Sequence, residues 1–218
     1  MTNSSIAPLN EMEAFQHDVS MLCHRLGVVA PVKAMTPSVQ LEKVIDTHSF
    51  IRFAEQYVRH LLIPIELPAI VTASKFASRN ALRELIELDQ QVASEPHIKI
   101  FEQASRTLGR NQLRKLRGLR DVRLLARYRA SVLEENAFGW HMLVYGAVLH
   151  LFSIPLRQGL AKYQMQVLKG FGQSACQSLH WSPSDWGKVE HSIEKMPVPS
   201  LESLSYGNDL GIPQLSIV

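Results

Sequence analysis

The stretch Trp140–Tyr163, WHMLVYGAVLHLFSIPLRQGLAKY, decides the fold class. From Trp140 to Phe152 every face of the expected helix is apolar. A helix hydrophobic all round has no face to offer water, so it must be enclosed by protein or by lipid. Crossing a bilayer takes about 20 consecutive apolar residues. This run stops short of that, because Ser153, Pro155 and Arg157 follow at once. The segment therefore reads as a buried helix in the core of a globular protein, with Pro155 restarting the chain as a second helix.

Working outward, prolines punctuate the rest of the chain. Met12, Phe15, Val19, Leu22 and Leu26 recur at helical spacing between Glu11 and Leu26, and Gly27 follows as a stop. A loop with Pro31 and Pro37 leads to Ser38, placed to cap a helix with Leu41, Val44 and Ile45 on one face. Ser49 is placed to cap the next helix, which Pro64 is expected to end. Pro68 opens another through Ala77, and Arg79–Ala93 carries Leu82, Leu85, Ile86, Leu88 and Val92. Pro96 opens a helix with Ile98, Phe101, Ala104 and Leu108, and Pro183 opens one through Ile193. No segment alternates convincingly with the period of a strand, and no Asn-Gly or Asp-Gly hairpin signal occurs. The expectation is an all-α, compact single-domain bundle of about nine or ten helices spanning residues 1–196. Residues 197–218, rich in Pro, Ser, Gly and Asn, are expected to form a flexible C-terminal tail.

The composition agrees with a globular chain: 218 residues, 46% hydrophobic and 20% charged. A net charge of +3 is too mild to imply a nucleic-acid partner by itself. Two cysteines, Cys23 and Cys176, cannot build a disulfide framework, and no basic region leads into an apolar core at the N-terminus. A soluble, cytoplasmic protein with no membrane association is expected. Phosphate-loop, nucleophile-elbow and zinc-helix motifs are absent, and Glu134-Glu135 are adjacent instead of convergent, so no catalytic activity is expected.

Some spacings are more specific. Ser105 and Gly109 lie four apart in FEQASRTLG, where two small residues on one helical face let another backbone approach. Leu88-Asp89 precedes them in ELDQQVAS. Pro31, Ala34, Thr36, Ser38, Leu41 and Glu42 punctuate the loop before the first capped helices, with Lys33 and Gln40 among them. His141, Tyr145-Gly146, Ile154, Leu160 and Tyr163 follow in the opening stretch, and QMQVLKGFGQSACQSL, with Ser174-Ala175, comes after it.

In order and spacing these positions resemble the family of urease accessory protein F, UreF, across roughly Val29–Ile193. The chain departs from the family at Lys33 and Gln40, where the family has glycine, and in the aromatic and the histidine of that loop. It also has Ser182-Pro183-Ser184-Asp185 in place of Pro-Leu-Gly-Gln, and ends LGIPQLSIV without the family's His…Arg-Leu-Phe. The resemblance implies an all-helical, homodimeric scaffold or chaperone that binds accessory protein H (or D) and the GTPase accessory protein G. It implies assistance with nickel insertion into apo-urease, with nickel in transit and no tightly bound cofactor. Ser38, Leu41, Glu42, Ser105, Gly109, His141, Gly146 and Tyr163 carry the pattern and are the candidates for the partner interface or its support.

Two further features have readings of their own. Arg106, Arg110, Arg114, Lys115, Arg117, Arg120, Arg123, Arg127 and Arg129 crowd one stretch with Asp121 as the one acid among them. A solvated helical face or a dock for an acidic protein is the ordinary reading; phosphate neutralisation by a basic nucleic-acid-binding module is the alternative. A diverged scaffold serving another partner is a third reading. Cys176 and His180, four apart, would share a helical face, with His191 beyond, but two ligands do not make a structural metal site. Cys23-His24 diverge on a helix, and His141 among apolar neighbours reads as a hydrogen-bonded structural histidine. No metal site is assigned.

Overall fold

The computed structural model describes residues 44–118, 123–201 and 203–204, and among them the chain is all-helical without a strand. The helices are α1 (Thr47–Tyr57), α2 (Leu67–Ser78), α3 (Leu82–Ser94), α4 (Glu102–Lys115), α5 (Arg123–Leu133), α6 (His141–Leu151), α7 (Leu156–Leu179) and α8 (Pro183–Glu194). A π-helical segment (Val58–Glu66) joins α1 to α2, and 3-10 turns cover Pro96–Phe101 and Leu116–Gly118. The helix expected at Glu11–Leu26, the Pro31–Glu42 loop with Ser38, Leu41 and Glu42, and the pair Cys23-His24 lie outside the described residues. The described residues group into two compact units, 57–160 with 198–204 and 44–56 with 161–197.

In the unit of residues 57–160, α6 is enclosed as its composition requires: all residues from His141 to Leu149 are buried. Its largest neighbour is α2, whose Leu67, Ala69, Ile70, Val71 and Ala73 are buried. The two helices approach closely at Gly146. A Cβ there would lie 2.4 Å from the Ile70 carbonyl oxygen and 2.9 Å from Ala73 Cβ. α4 packs against α6 as well, α3 lies against α2 and α5, and α5 touches α4. α6 stops in a Schellman turn: Ser153 adopts φ 53°, and the Ile154 amide donates to the Leu149 carbonyl at 2.8 Å. Tyr145 then donates its hydroxyl to the Gly159 carbonyl at 3.0 Å.

Pro64 does not end a helix. The helical backbone runs unbroken from Thr47 to Ser78, because the π-helical segment absorbs the proline. Wider i→i+5 turns leave room for a ring that would collide with the carbonyl four residues back in an α-helix. The Leu67 amide accordingly donates to Leu62, five residues earlier. Glu66 is buried within this segment and accepts from the Tyr57 hydroxyl at 2.8 Å. The run is long and apolar enough to cross a membrane, yet 72% of its most apolar window is buried inside the protein, as in a core helix.

The other unit corrects a second expectation. Val44 and Ile45 precede α1 without helical structure, and Ile45 is exposed. Ser49 is not the cap. Asp46 is: its Oδ1 accepts from the Ser49 amide at 2.7 Å, while Ser49 Oγ accepts from the Asp46 amide at 3.0 Å. This is the reciprocal arrangement of a capping box, with Ser49 in the place usually held by Glu. These hydrogen bonds from Ser49 hold the Asp46 carboxyl below its ordinary range. Phe53 stacks edge-on against Phe171, and Phe50 against Trp181. Lys169 pairs with Glu190 at 2.7 Å and Glu194 at 3.5 Å, tying α7 to α8. Ser182 caps α8 by accepting from the Asp185 amide at 3.2 Å. In the unit of residues 57–160, Pro96 opens a 3-10 turn instead of an α-helix, and α4 begins only at Glu102.

The α2–α6 contact makes a direct prediction. Gly146→Ala adds a methyl group that meets backbone on α2, so the helices must separate. The variant should lose about 3 kcal/mol in urea denaturation, despite the ~1 kcal/mol that Ala gains over Gly within a helix. Unchanged stability would mean that the two helices do not approach this closely.

Candidate functional site

Four of the candidate residues, Ser105, Gly109, His141 and Gly146, fall in one unit, and three of them meet at the N-terminus of α6. A helix start leaves amide groups without intrahelical acceptors, and burial denies them water. α6 has no side-chain cap of its own at Trp140. Acceptors arrive from two other helices. Asp89, on α3, takes the amides of Phe138 at 2.5 Å, Gly139 at 2.9 Å and Trp140 at 3.4 Å. It also accepts the Tyr128 hydroxyl of α5, and its backbone carbonyl accepts the Trp140 indole N–H at 3.2 Å. Ser105, on α4, accepts the His141 amide at 3.3 Å.

Every partner of the Asp89 carboxyl is a donor, which suits an ionised acceptor, as does the positive end of the α6 dipole. Burial opposes this and raises the Asp89 carboxyl above its ordinary value, while the hydrogen bonds from Tyr128, Phe138, Gly139 and Trp140 pull it back. The Tyr128 hydroxyl is pushed well up by burial and by the Asp89 charge. Asp89 is fully enclosed.

Ser105 Oγ lies 2.6 Å from His141 Nδ1. One hydrogen is shared between Oγ and Nδ1, and the bond links α4 to α6 in either tautomer of the ring, while Oγ also accepts the His141 amide. Burial pushes the imidazole down to about 3, so the ring is neutral at physiological pH. A serine beside a histidine could suggest a nucleophile and its base, but Ser105 is wholly buried. No reactant reaches it, and the pair serves as a clasp between α4 and α6.

One turn along α4 from Ser105, Gly109 faces the same chain segment. A Cβ at Gly109 would sit 1.9 Å from the Gly139 carbonyl oxygen. Gly139 itself adopts φ +77°, which favours glycine. The Ser105–Gly109 spacing thus brings one helix against the strapped residues 138–141. Arg106, between them, stacks over the Phe138 ring at 4.7 Å and pairs with Glu102 at 2.7 Å.

Gly146 lies farther along α6, at the α2 contact. Tyr163 belongs to the other unit, where it is buried on α7. Asp89 is the residue absent from the candidates, although its Leu-Asp pair was visible. Leu85, Leu88 and Val92 mark the buried face of α3, and Asp89 falls on that same face. A carboxylate on an apolar stripe signals a buried partner set.

Cys176 and His180 do not share a helical face. His180 adopts φ 53° just beyond the end of α7, and the Trp181 amide closes the turn onto the Cys176 carbonyl at 3.1 Å. Among the described residues no group of three His, Cys, Asp or Glu side chains is placed to hold a metal ion.

The UreF family model matches residues 44–189, well over half of the chain. The chain belongs to the UreF family. The match contains Asp89, Ser105, Gly109, His141, Gly146 and Tyr163, and begins after Ser38, Leu41 and Glu42. Membership in UreF makes this a urease accessory protein. No curated protein matches the chain.

Two predictions test the clasp. Asp89→Asn turns one acceptor into a donor facing other donors, and should cost about 3 kcal/mol by urea denaturation. His141 should impose a pH dependence. Above pH 6.5 it is neutral folded and unfolded; below, the unfolded chain binds a proton that the folded chain refuses. Stability should therefore fall by ~1.4 kcal/mol per pH unit from this group as pH drops from 6.5 toward 3. Asp89, with its raised carboxyl, opposes this at the acid end, so the measurement compares the protein with His141→Gln. The variant should show a flatter profile between pH 6.5 and 5. An unaltered slope would assign the acid sensitivity elsewhere.

Proposed function

We propose that this UreF-family chain acts as a non-catalytic scaffold in urease maturation. In this reading it works in the cytoplasm as a homodimer that binds accessory protein H or D and the GTPase accessory protein G. Nickel is cargo passed toward apo-urease, and the scaffold acts by favouring one loaded state of the GTPase. A ligand or partner shifts such an equilibrium only through its differential affinity for the two states. A rigid binding surface supplies that difference at the least ordering cost.

The observation that carries the proposal is the family match over 44–189, which includes the whole clasp at the N-terminus of α6. The clasp supports a scaffold because it spends its polar groups on rigidity. Its histidine, serine and aspartate are all buried and engaged with one another's helices.

Deleting the gene in a urease-positive host should abolish urease activity, and added nickel should restore it at most partly. Re-expressing the chain should restore it fully, and a tagged copy should co-purify with the GTPase and with accessory protein H or D. Full urease activity in the deletion strain would refute the role. Co-purification with an unrelated partner alone would favour a diverged scaffold.

A further inference from the structure

α4 and α5 enclose a groove of about 470 Å³ on the unit of residues 57–160. Arg110, Arg114, Arg117 and Arg129 line it, with Leu133 at the end of α5 and Glu135 beyond it. Arg110, Arg114 and Arg117 are exposed and Arg129 is half-buried. Among the described residues, Arg110, Arg117 and Arg129 form no ion pair, and Arg114 donates only to the neutral Asn111 side chain at 3.1 Å. Arg106, by contrast, is neutralised by Glu102. Arg110 also borders a second depression of about 550 Å³, lined by Lys99, Glu102, Gln103, Arg106 and Thr107, in which the Arg106–Glu102 pair is neutral and Lys99 and Arg110 supply the remaining charge. Within the groove Leu133 is 76% exposed, the most exposed large apolar side chain among those described.

Four guanidinium groups against one carboxylate call for an anionic partner, and the exposed leucine calls for an apolar one. We infer that the α4–α5 groove docks an acidic amphipathic segment of a partner protein, its carboxylates on the arginines and an apolar side chain over Leu133. Guanidinium forks match carboxylates in bidentate geometry, and such pairs set both orientation and association rate. A phosphodiester backbone would satisfy the arginines but would bring nothing to cover Leu133. No aromatic side chain lines the groove for base stacking, and Glu135 would repel a continuous run of phosphates. This docking surface rests on its own chemistry and not on the urease reading.

Fluorescence anisotropy on the full chain provides the test. The probe is a fluorescein-labelled helical peptide of about a dozen residues, with Glu at i, i+3 and i+4 around a central Leu. Saturable binding at physiological salt is expected. It should weaken about tenfold in Arg110→Glu and in Arg129→Glu, and severalfold when either Leu133 or the peptide's leucine becomes Ser. Arg157→Glu makes the same charge change at an exposed position outside the groove and should leave binding unchanged. Thermal melts of all variants report whether they remain folded. Absence of saturable binding, equal weakening in Arg157→Glu, or insensitivity to the groove substitutions would overturn the inference. Tighter binding of a single-stranded RNA of equal charge would also overturn it and identify the groove as a nucleic-acid surface.

Discussion

Burying the start of α6 creates a debt of backbone amides that its own sequence cannot settle. Trp140 offers no capping oxygen, and the next residues are apolar almost without interruption. Asp89 and Ser105 supply the acceptors from α3 and α4, and Tyr128 of α5 joins them through Asp89. Each of these helices is thereby tied to the same few backbone groups. The register of three helices against α6 follows from that requirement, since shifting any of them by one residue would strand a buried donor or acceptor. The cost of such stranding, about 1–3 kcal/mol per group, is a large fraction of a domain's net stability.

Close backbone approach serves the same arrangement. Gly109 lets α4 reach the Gly139 carbonyl, and Gly146 lets α2 reach α6 at Ile70. Without the first approach Ser105 would stand too far from the His141 ring and amide to bond either. The small residues and the polar clasp are therefore one device: the glycines set the distance at which the hydrogen bonds can form. Helices held in this way have little freedom to slide past one another, because any shift breaks buried hydrogen bonds. The charged groove between α4 and α5 is carried by two of the helices so fixed.

The helical class, most helix positions and the buried state of α6 were legible in the sequence. Hydrophobic periodicity and proline placement report local geometry and burial, and both are properties of short windows. Ser105 and Gly109 were legible as a close-packing pair for the same reason. Pro64 misled because its effect depends on the surrounding backbone, which here widens into a π-helix with Val58, Leu61, Leu62 and Ile65 buried. Ser49 misled in a smaller way: both it and Asp46 can cap, and the reciprocal bonds decide which stands outside the helix. The Cys176–His180 spacing suggested a shared face, but the helix ends between them.

By itself, then, the sequence determined that this chain is helical, that α6 is enclosed, and that its positions follow the UreF pattern. Those conclusions need only periodicity, composition and order along the chain. The tertiary structure alone decided what the pattern positions do. Asp89 and Trp140 are 51 residues apart and Ser105 and His141 are 36 apart. Nothing in either local window states that they meet. The pairing of a buried donor with a distant acceptor is fixed only when whole helices pack, because only then is water removed and the unpaired alternative made costly.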